Sequence, residues 1–480
     1  VNGYFAGNAL ATLGSLANGS TIDWEANLTG AFSWTPEIGS QLDGFWPPAS
    51  RIVPLAEANL LAFQRVALAG GAFVYADALT LTEVGDGDGF VEAGELVELD
   101  LAVRNAGVDP TGGPVTATLV LDSPGVSVLA GQVDLGSINS FEGTDTGSSP
   151  LAFAISATAQ PGDVASWRVV LSYEGFDQEL SGTLPIGAPR ALVVDDAEQS
   201  RGWTAGLPGD TASTGLWERA VPDGTTSGSE PANPGVDTTP GGQFAYVTGN
   251  GGGSGGNDDV DDGLTTLLSP RIDLSGAAAA SIRYQRWHAD LSVADDVFRV
   301  DVSNDDGQTW TELEALAGNQ NQWLPFEAQL QTLLPLTASM RLRFIAEDDP
   351  NNSVVEAAVD DLAIDVFGAG PLIAPYGQPA VGQALRLFAN AEDAAQAFLF
   401  AATTALPAPL AIPGVAGALE LDPATAFELA TFGLPANGAV ETVLPVPNNP
   451  SLAGLLLELQ AVTFDTGGVA FSNRVTVVID

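Results

Sequence analysis

From about residue 79 onward the chain consists of short runs in which apolar and polar residues alternate, each stopped by Gly, Pro, Asn or Asp. A period of two puts successive side chains on opposite faces of a strand, so each run buries one face, and the breakers between runs turn the chain back. Repeated over most of the chain, this pattern dictates antiparallel sheets packed as sandwiches. The stretches 97–103, 115–121, 167–173, 298–302 and 340–345 are clear strands, and 455–464 is a longer apolar one. Gly and Pro cluster near 76–79, 187–189 and 368–375, dividing the 480 residues into segments 1–76, 77–188, 189–368 and 369–480.

The first segment departs from the pattern. Residues 54–69 read as a helix: Pro54 suits the first turn, Glu57 suits the positive end, and Gly70-Gly71 stops it. Leu55, Leu60, Leu61, Phe63, Val66 and Leu68 spread around its circumference, which predicts burial between layers. Residues 32–38 read as a strand ending in Glu37, so this segment is a small α/β unit. The fold class expected is therefore mainly β, a small α/β segment followed by three β-sandwich modules.

Composition removes whole chemistries. The chain has no Cys, one His (His288) and no Lys, its fifteen basic residues all being Arg. Disulfides, thiolate nucleophiles, lysine Schiff bases and a three-histidine metal centre are excluded within it. Sixty Asp and Glu give a formal charge of -45, a field that repels phosphate backbones and anionic lipids, so nucleic acid is not an expected partner. No run of about twenty apolar residues is free of breakers, so membrane insertion is not expected either. The chain starts at Val1 rather than Met, which suggests processing or truncation upstream. An acidic, Lys-free, Cys-free chain suits a secreted or cell-surface protein of a saline habitat.

Residues 21–54, with Asp23-Trp24, Glu37, the turn Gly44-Phe45-Trp46-Pro47-Pro48 and the helix from Pro54, resemble the closing part of the zinc metallocarboxypeptidases of the carboxypeptidase A type. The resemblance implies that the α/β segment is the end of such a domain. It makes Glu37 the general base that activates zinc-bound water and Ile22 the floor of a pocket for apolar C-terminal side chains of a peptide substrate. The family's zinc ligands precede this segment, so zinc is implied only where an upstream peptidase half-chain is present.

Segment 79–187 looks like the immunoglobulin-like spacers of secreted bacterial enzymes. It opens with Glu83-Val-Gly-Asp-Gly-Asp-Gly-Phe-Val-Glu-Ala-Gly-Glu95, in which Asp86, Asp88, and Glu92 or Glu95 offer hard oxygens at calcium-loop spacing, a reading preferred to a solvated acidic hairpin turn. Segment 191–367 resembles the MAM-type jelly roll through Asp196-Ala-Glu198, Gly202-Trp203-Thr204, Trp217-Glu218-Arg219, Leu267-Leu-Ser-Pro270 and Ala358-Val-Asp-Asp361. The resemblance brings Asp196, Glu198 and Asp360 or Asp361 together, where they could share a calcium. Residues 249–263 form an acidic, Gly-rich loop that is either solvated or ordered by calcium through Asp258, Asp259, Asp261 and Asp262. His288 reads as a structural strand histidine, and Trp287, Trp310 and Trp323 as core more readily than as a ligand groove. Segment 371–480 resembles a recurrent C-terminal β-sandwich of secreted bacterial proteins.

Three functions follow. One is the distal portion of a secreted zinc carboxypeptidase removing apolar C-terminal residues. The alternative is a non-catalytic extracellular β-sandwich protein derived from such a peptidase, structural, adhesive or self-assembling into a homo-oligomer or filament. A calcium-stabilised glycan-binding module is a third, resting on the jelly roll alone.

Overall fold

A computed structural model describes residues 49–480 apart from 292–295, 369, 394 and 437. Glu37, Ile22 and the expected strand at 32–38 lie outside the described residues. The fold is mainly β, with several separate sheets and a single α-helix among the described residues. The chain divides into two compact units, one running to Ala159 and including Val164–Leu184, the other formed by Gln160–Asp163 and Pro185–Asp480.

In the first unit the helix spans Ile52–Ala69. Leu55 is buried, whereas Leu60 is 55% and Phe63 44% exposed, so at these two positions the expected enclosure between layers is not seen. The sandwich that follows has two sheets. One orders Val74–Val84, Leu96–Asn105, Leu151–Ile155 and Val126–Ala130, with Gly143–Asp145 also on Leu96–Asn105; the other orders Gln132–Asp134, Thr116–Leu121, Val164–Tyr173 and Phe176–Pro185. Alternation decides which face is inside: Val97, Leu99, Leu101 and Val103 are buried along one strand, and Ala165, Trp167, Val169, Leu171 and Tyr173 along another. The strand Val74–Val84 crosses the break expected at 76–79, with a bulge between Ala76 and Ala78.

The second unit holds the jelly roll. One sheet runs Glu218–Ala220, Ala245–Val247, Val354–Phe367, Ala279–Leu291, Leu324–Gln329, with the opening strand Arg190–Asp195 also paired to Val354–Phe367. The facing sheet runs Thr204–Ala205, Gly263–Leu268, Arg341–Asp348, Val297–Ser303, Thr311–Ala317. The closing strand Val354–Phe367 is central and buried almost throughout. Its Val355, Ala357 and Val359 enter the main core, as do Leu362, Ile364 and Val366, so the inward face changes from odd to even positions. A bulge sets two residues, Asp361 and Leu362, against Tyr284, and Asp361 takes a φ of 49°. Asp360 and Asp361 consequently both leave the core, and a second apolar group (Ala232, Ala245, Val247, Trp287, Ala358) covers the far face beside them.

The C-terminal sandwich pairs a sheet of Leu372–Tyr376, Ala384–Asn390 and Ala439–Pro445 with one of Val415–Ala416, Gly468–Val478, Leu456–Asp465, Ala395–Ala402 and Phe427–Leu434. Ala374, Tyr376 and Phe388 belong to the jelly-roll core, so the hydrophobic interior is continuous across residue 369.

Candidate functional site

Carboxylates gather at the mouth of the first hairpin. Val84 pairs with Leu96, closing a loop whose ends carry Glu83 and Glu95. Gly87 and Gly89 adopt φ of 83° and 88°, a left-handed backbone that turns the loop tightly. Glu95 is fixed from both oxygens: the Asp86 N–H donates to Oε1 at 3.3 Å and the Glu92 N–H to Oε2 at 2.8 Å. Glu83, Asp86 and Glu95 each present an oxygen within 4.8 Å of the other two. Among the described residues no Arg forms an ion pair with any of the three. Glu83 Oε1 is buried without a hydrogen-bond partner, and a Cβ at Gly85 would collide with the carboxylates of Glu95 and Glu83. Like charges drawn together repel, and hard oxygens converging on one point match what a calcium ion takes up. The residues present therefore fit such an ion.

Of the four ligands expected here, Asp86 and Glu95 meet, while Asp88 and Glu92 stand outside the group of three. Asp88 Oδ1 instead accepts the Phe90 N–H at 2.8 Å. Sequence reasoning missed Glu83 as a member of this group, because its signal is positional: it is the last acidic residue before the turn, opposite Val97 in the pairing.

The opening and closing carboxylates of the jelly roll form a second group, organised by a loop that carries no sequence signal. Thr238 donates its N–H to Asp360 Oδ2 at 2.8 Å, and its single hydroxyl proton is shared between Asp360 Oδ2 (2.9 Å) and Asp361 Oδ2 (2.8 Å). Thr239 Oγ1 donates to Asp361 Oδ1 at 2.6 Å and reaches the Asp196 carbonyl at 3.5 Å. Glu198 Oε1 accepts the N–H groups of Gln243 and Phe244, both at 2.7 Å. Asp196 Oδ1 accepts from Arg201 at 3.0 Å, so part of its charge is already balanced. Asp237, which sequence reasoning passed over, has Oδ2 buried and unpartnered; burial first, then the charges of Glu198 and Asp361, push its carboxyl upward. Burial pushes Asp360 up to about 6, against the pull of the Thr238 and Asp361 N–H groups. Thr238 and Thr239 thus link Asp196, Asp360 and Asp361, with Glu198 held beside them by the Gln243 and Phe244 N–H groups, but among the described residues only Glu83, Asp86 and Glu95, and not these four, bring three carboxylate oxygens within 4.8 Å of one another. Asp361 also borders a groove of about 540 Å³ lined in part by Arg283, Gln285, Phe326 and Glu327.

His288 is sealed in the sheet, its Nδ1 3.2 Å from the Gly318 carbonyl. Trp287 is core and donates to the Ala232 carbonyl at 2.7 Å, Trp323 lies edge-on to it at 6.1 Å, and Trp310 lies under the Arg343 guanidinium at 4.4 Å. None of the three forms an open aromatic platform.

No family model matches the chain, and no curated protein matches it. Among solved structures, the CBM22-1 xylan-binding domain from Paenibacillus barcinonensis Xyn10C overlays with 13% identity over 38% of this chain and 99% of that chain, at a TM-score of 0.23. A carbohydrate-binding module of the β-sandwich superfamily overlays with 7% identity over 61% of this chain and 97% of its own, at 0.22. The secreted serine protease VesC from Vibrio cholerae gives 11% identity over 59% of this chain and 50% of its own, at 0.17. Scores this low carry no functional argument.

Proposed function

We propose that the chain is a non-catalytic, extracellular β-sandwich protein whose sandwiches are ordered by bound calcium. The observation that carries this reading is the convergence of Glu83, Asp86 and Glu95 on one point, with Glu83 Oε1 buried and unpartnered. Among the described residues, His288 and the Asp195 network serve architecture. His288 is enclosed, and Asp195 accepts from Arg201, Trp203 and Tyr376. Among the described residues no helix is long and apolar enough to cross a membrane. With -45 formal charges, a divalent cation would also relieve repulsion across the protein.

Thermal unfolding with calcium or with a chelator tests the reading. A cation that binds only the folded state at about a hundred times its Kd adds roughly 2.7 kcal/mol. For a unit of this size that raises Tm by roughly 5–10 °C. Glu95→Gln should remove the part of the rise that belongs to the first unit. A melting curve indifferent to calcium and chelator would overturn the proposal.

A further inference from the structure

The jelly roll buries another line of carboxylates, separate from the Asp196–Asp361 neighbourhood. Glu356 on the closing strand and Asp348 at the end of Arg341–Asp348 are each fully buried, with 0% exposure. The loop 249–263 lies between them. Asp258 and Asp259 are charges close to Glu356, Asp261 and Asp296 are close to Asp348, and Asp259 is close to Asp348 and Asp261. Among the described residues no Arg is paired with Asp258, Asp259, Asp261, Asp348 or Glu356.

Both buried ends are half satisfied. Glu356 Oε2 accepts the Thr248 hydroxyl at 2.7 Å, while Oε1 is buried with no hydrogen-bond partner. Asp348 Oδ1 accepts the Asn352 N–H at 3.2 Å, while Oδ2 has none, and neither has the nearby Asn352 Oδ1. Asp360, by contrast, has a donor on each oxygen. Buried polar atoms are ordinarily paired, and an orphaned carboxylate oxygen costs more than most. A proton removes one charge and pairs at most one oxygen with one acceptor. A cation satisfies several such oxygens at once.

The loop is held without using its carboxylates fully. The Val260 N–H donates to the Val355 carbonyl at 3.0 Å, and the Thr214 hydroxyl proton is shared between the Asp259 carbonyl and Asp261 Oδ2, both 2.9 Å from Oγ1. Gly249, at a φ of 51°, lies so close to Glu356 that a Cβ would strike both carboxylate oxygens. Burial pushes Asp259 up to about 7 and Asp348 up to about 6, and neighbouring carboxylates push the same way, the response of acids gathered without a counter-charge.

We propose that loop 249–263, with Asp348 and Glu356, forms a buried binding site for a divalent cation of the calcium class. The donors are all oxygen, which favours calcium over zinc or copper. Their oxygens do not converge as closely as those of Glu83, Asp86 and Glu95, so binding draws the Gly-rich loop inward.

The experiment titrates calcium alone into the chelated full-length chain by calorimetry and follows backbone hydrogen exchange with and without it. The expected result is calcium-dependent protection of 249–263, and loss of one calcium equivalent in Asp348→Asn and in Glu356→Gln. Those variants should also reverse sign: more stable than the parent in chelator, where a buried charge is gone, and less stable in calcium. Glu95→Gln should lose a different equivalent and leave protection of 249–263 intact, which separates this site from the one in the first unit. Unchanged stoichiometry in both variants, with exchange of 249–263 indifferent to calcium, would overturn the proposal, and the exchange result on the parent chain holds even if a variant does not fold.

Discussion

His288 is the chain's only imidazole, and burial pushes its pKa down to about 4. The Gly318 carbonyl pulls the other way and loses. The folded protein therefore keeps the ring neutral at pH values where the unfolded chain, titrating near about 6.5, takes a proton. The associated stability is fully present above about pH 6.5 and is lost as the pH falls toward 4, at most about 3 kcal/mol. Denaturant melts between pH 7.5 and 4.5 should show a steeper acid loss in the parent than in His288→Gln; parallel slopes would show that the ring does not titrate this way. That His288 is structural was legible from its place in an alternating strand. What sequence could not give was its depth, which depends on Phe298 and the Gly318 turn arriving from elsewhere in the chain. The same limit explains the acidic hairpin. Asp86 and Glu95 follow from loop spacing, but Glu83 joins them only because Val84 pairs with Leu96.

At the scale of elements, the opening strand ends in a charge network that spacing alone does not reveal. Arg201 sits with a 7% exposed side chain between Asp195 and Asp196, both at 3.0 Å, and Glu441 at 3.1 Å. Burial works to lower its pKa, and the three carboxylates outweigh burial and hold it above its ordinary value. Arg201→Met leaves Asp195 buried without its cation, and breaking one partner of a buried pair costs about 3–5 kcal/mol. Adding Asp195→Asn should recover part of that loss, because the two sites are coupled. Chemical denaturation of the single and double variants checks this, and strictly additive losses would count against it. The strands themselves were readable because half-buried strands alternate, as Leu96–Asn105 does. The closing strand was readable only through its Ala358-to-Asp361 landmark. Covered on both faces, it buries Glu356 and Asp360, which a period-of-two reading assigns to solvent. The 237–243 loop was illegible for a different reason: its Thr238 and Thr239 acquire a role only where Asp360 and Asp361 are delivered by a bulge.

At the scale of the molecule, the sequence marks a module boundary at 368–375, yet Pro185–Asp480 forms one compact unit. Several contacts tie the two sandwiches together. Arg190 Nη2 donates to the carbonyls of Gly368 (2.6 Å) and Gly370 (2.8 Å), Asn390 Nδ2 donates to the Ala191 carbonyl at 2.9 Å, and the Tyr376 hydroxyl donates to Asp195 Oδ2 at 2.8 Å. Tyr376 and Phe388 stack edge to face at 5.4 Å inside the jelly-roll core. Composition punctuates the chain where backbone turns, and it is silent about whether side chains continue a core across the turn. A shared core makes unfolding cooperative across the boundary, whereas a mere linker would let the two sandwiches open separately. Phe388→Ala, a truncation that costs about 3–5 kcal/mol in a close-packed core, discriminates between them. Native-state hydrogen exchange should show protection falling together in Leu372–Tyr376 and in the jelly-roll strands Arg190–Asp195 and Val354–Phe367. If only the strands beyond residue 369 lose protection, the sandwiches are independent and Tyr376 is a surface contact rather than part of a common interior. The coupled outcome would mean that calcium bound among the jelly-roll carboxylates also stabilises the C-terminal sandwich, since ligand binding to a cooperative unit raises the stability of every element that unfolds with it.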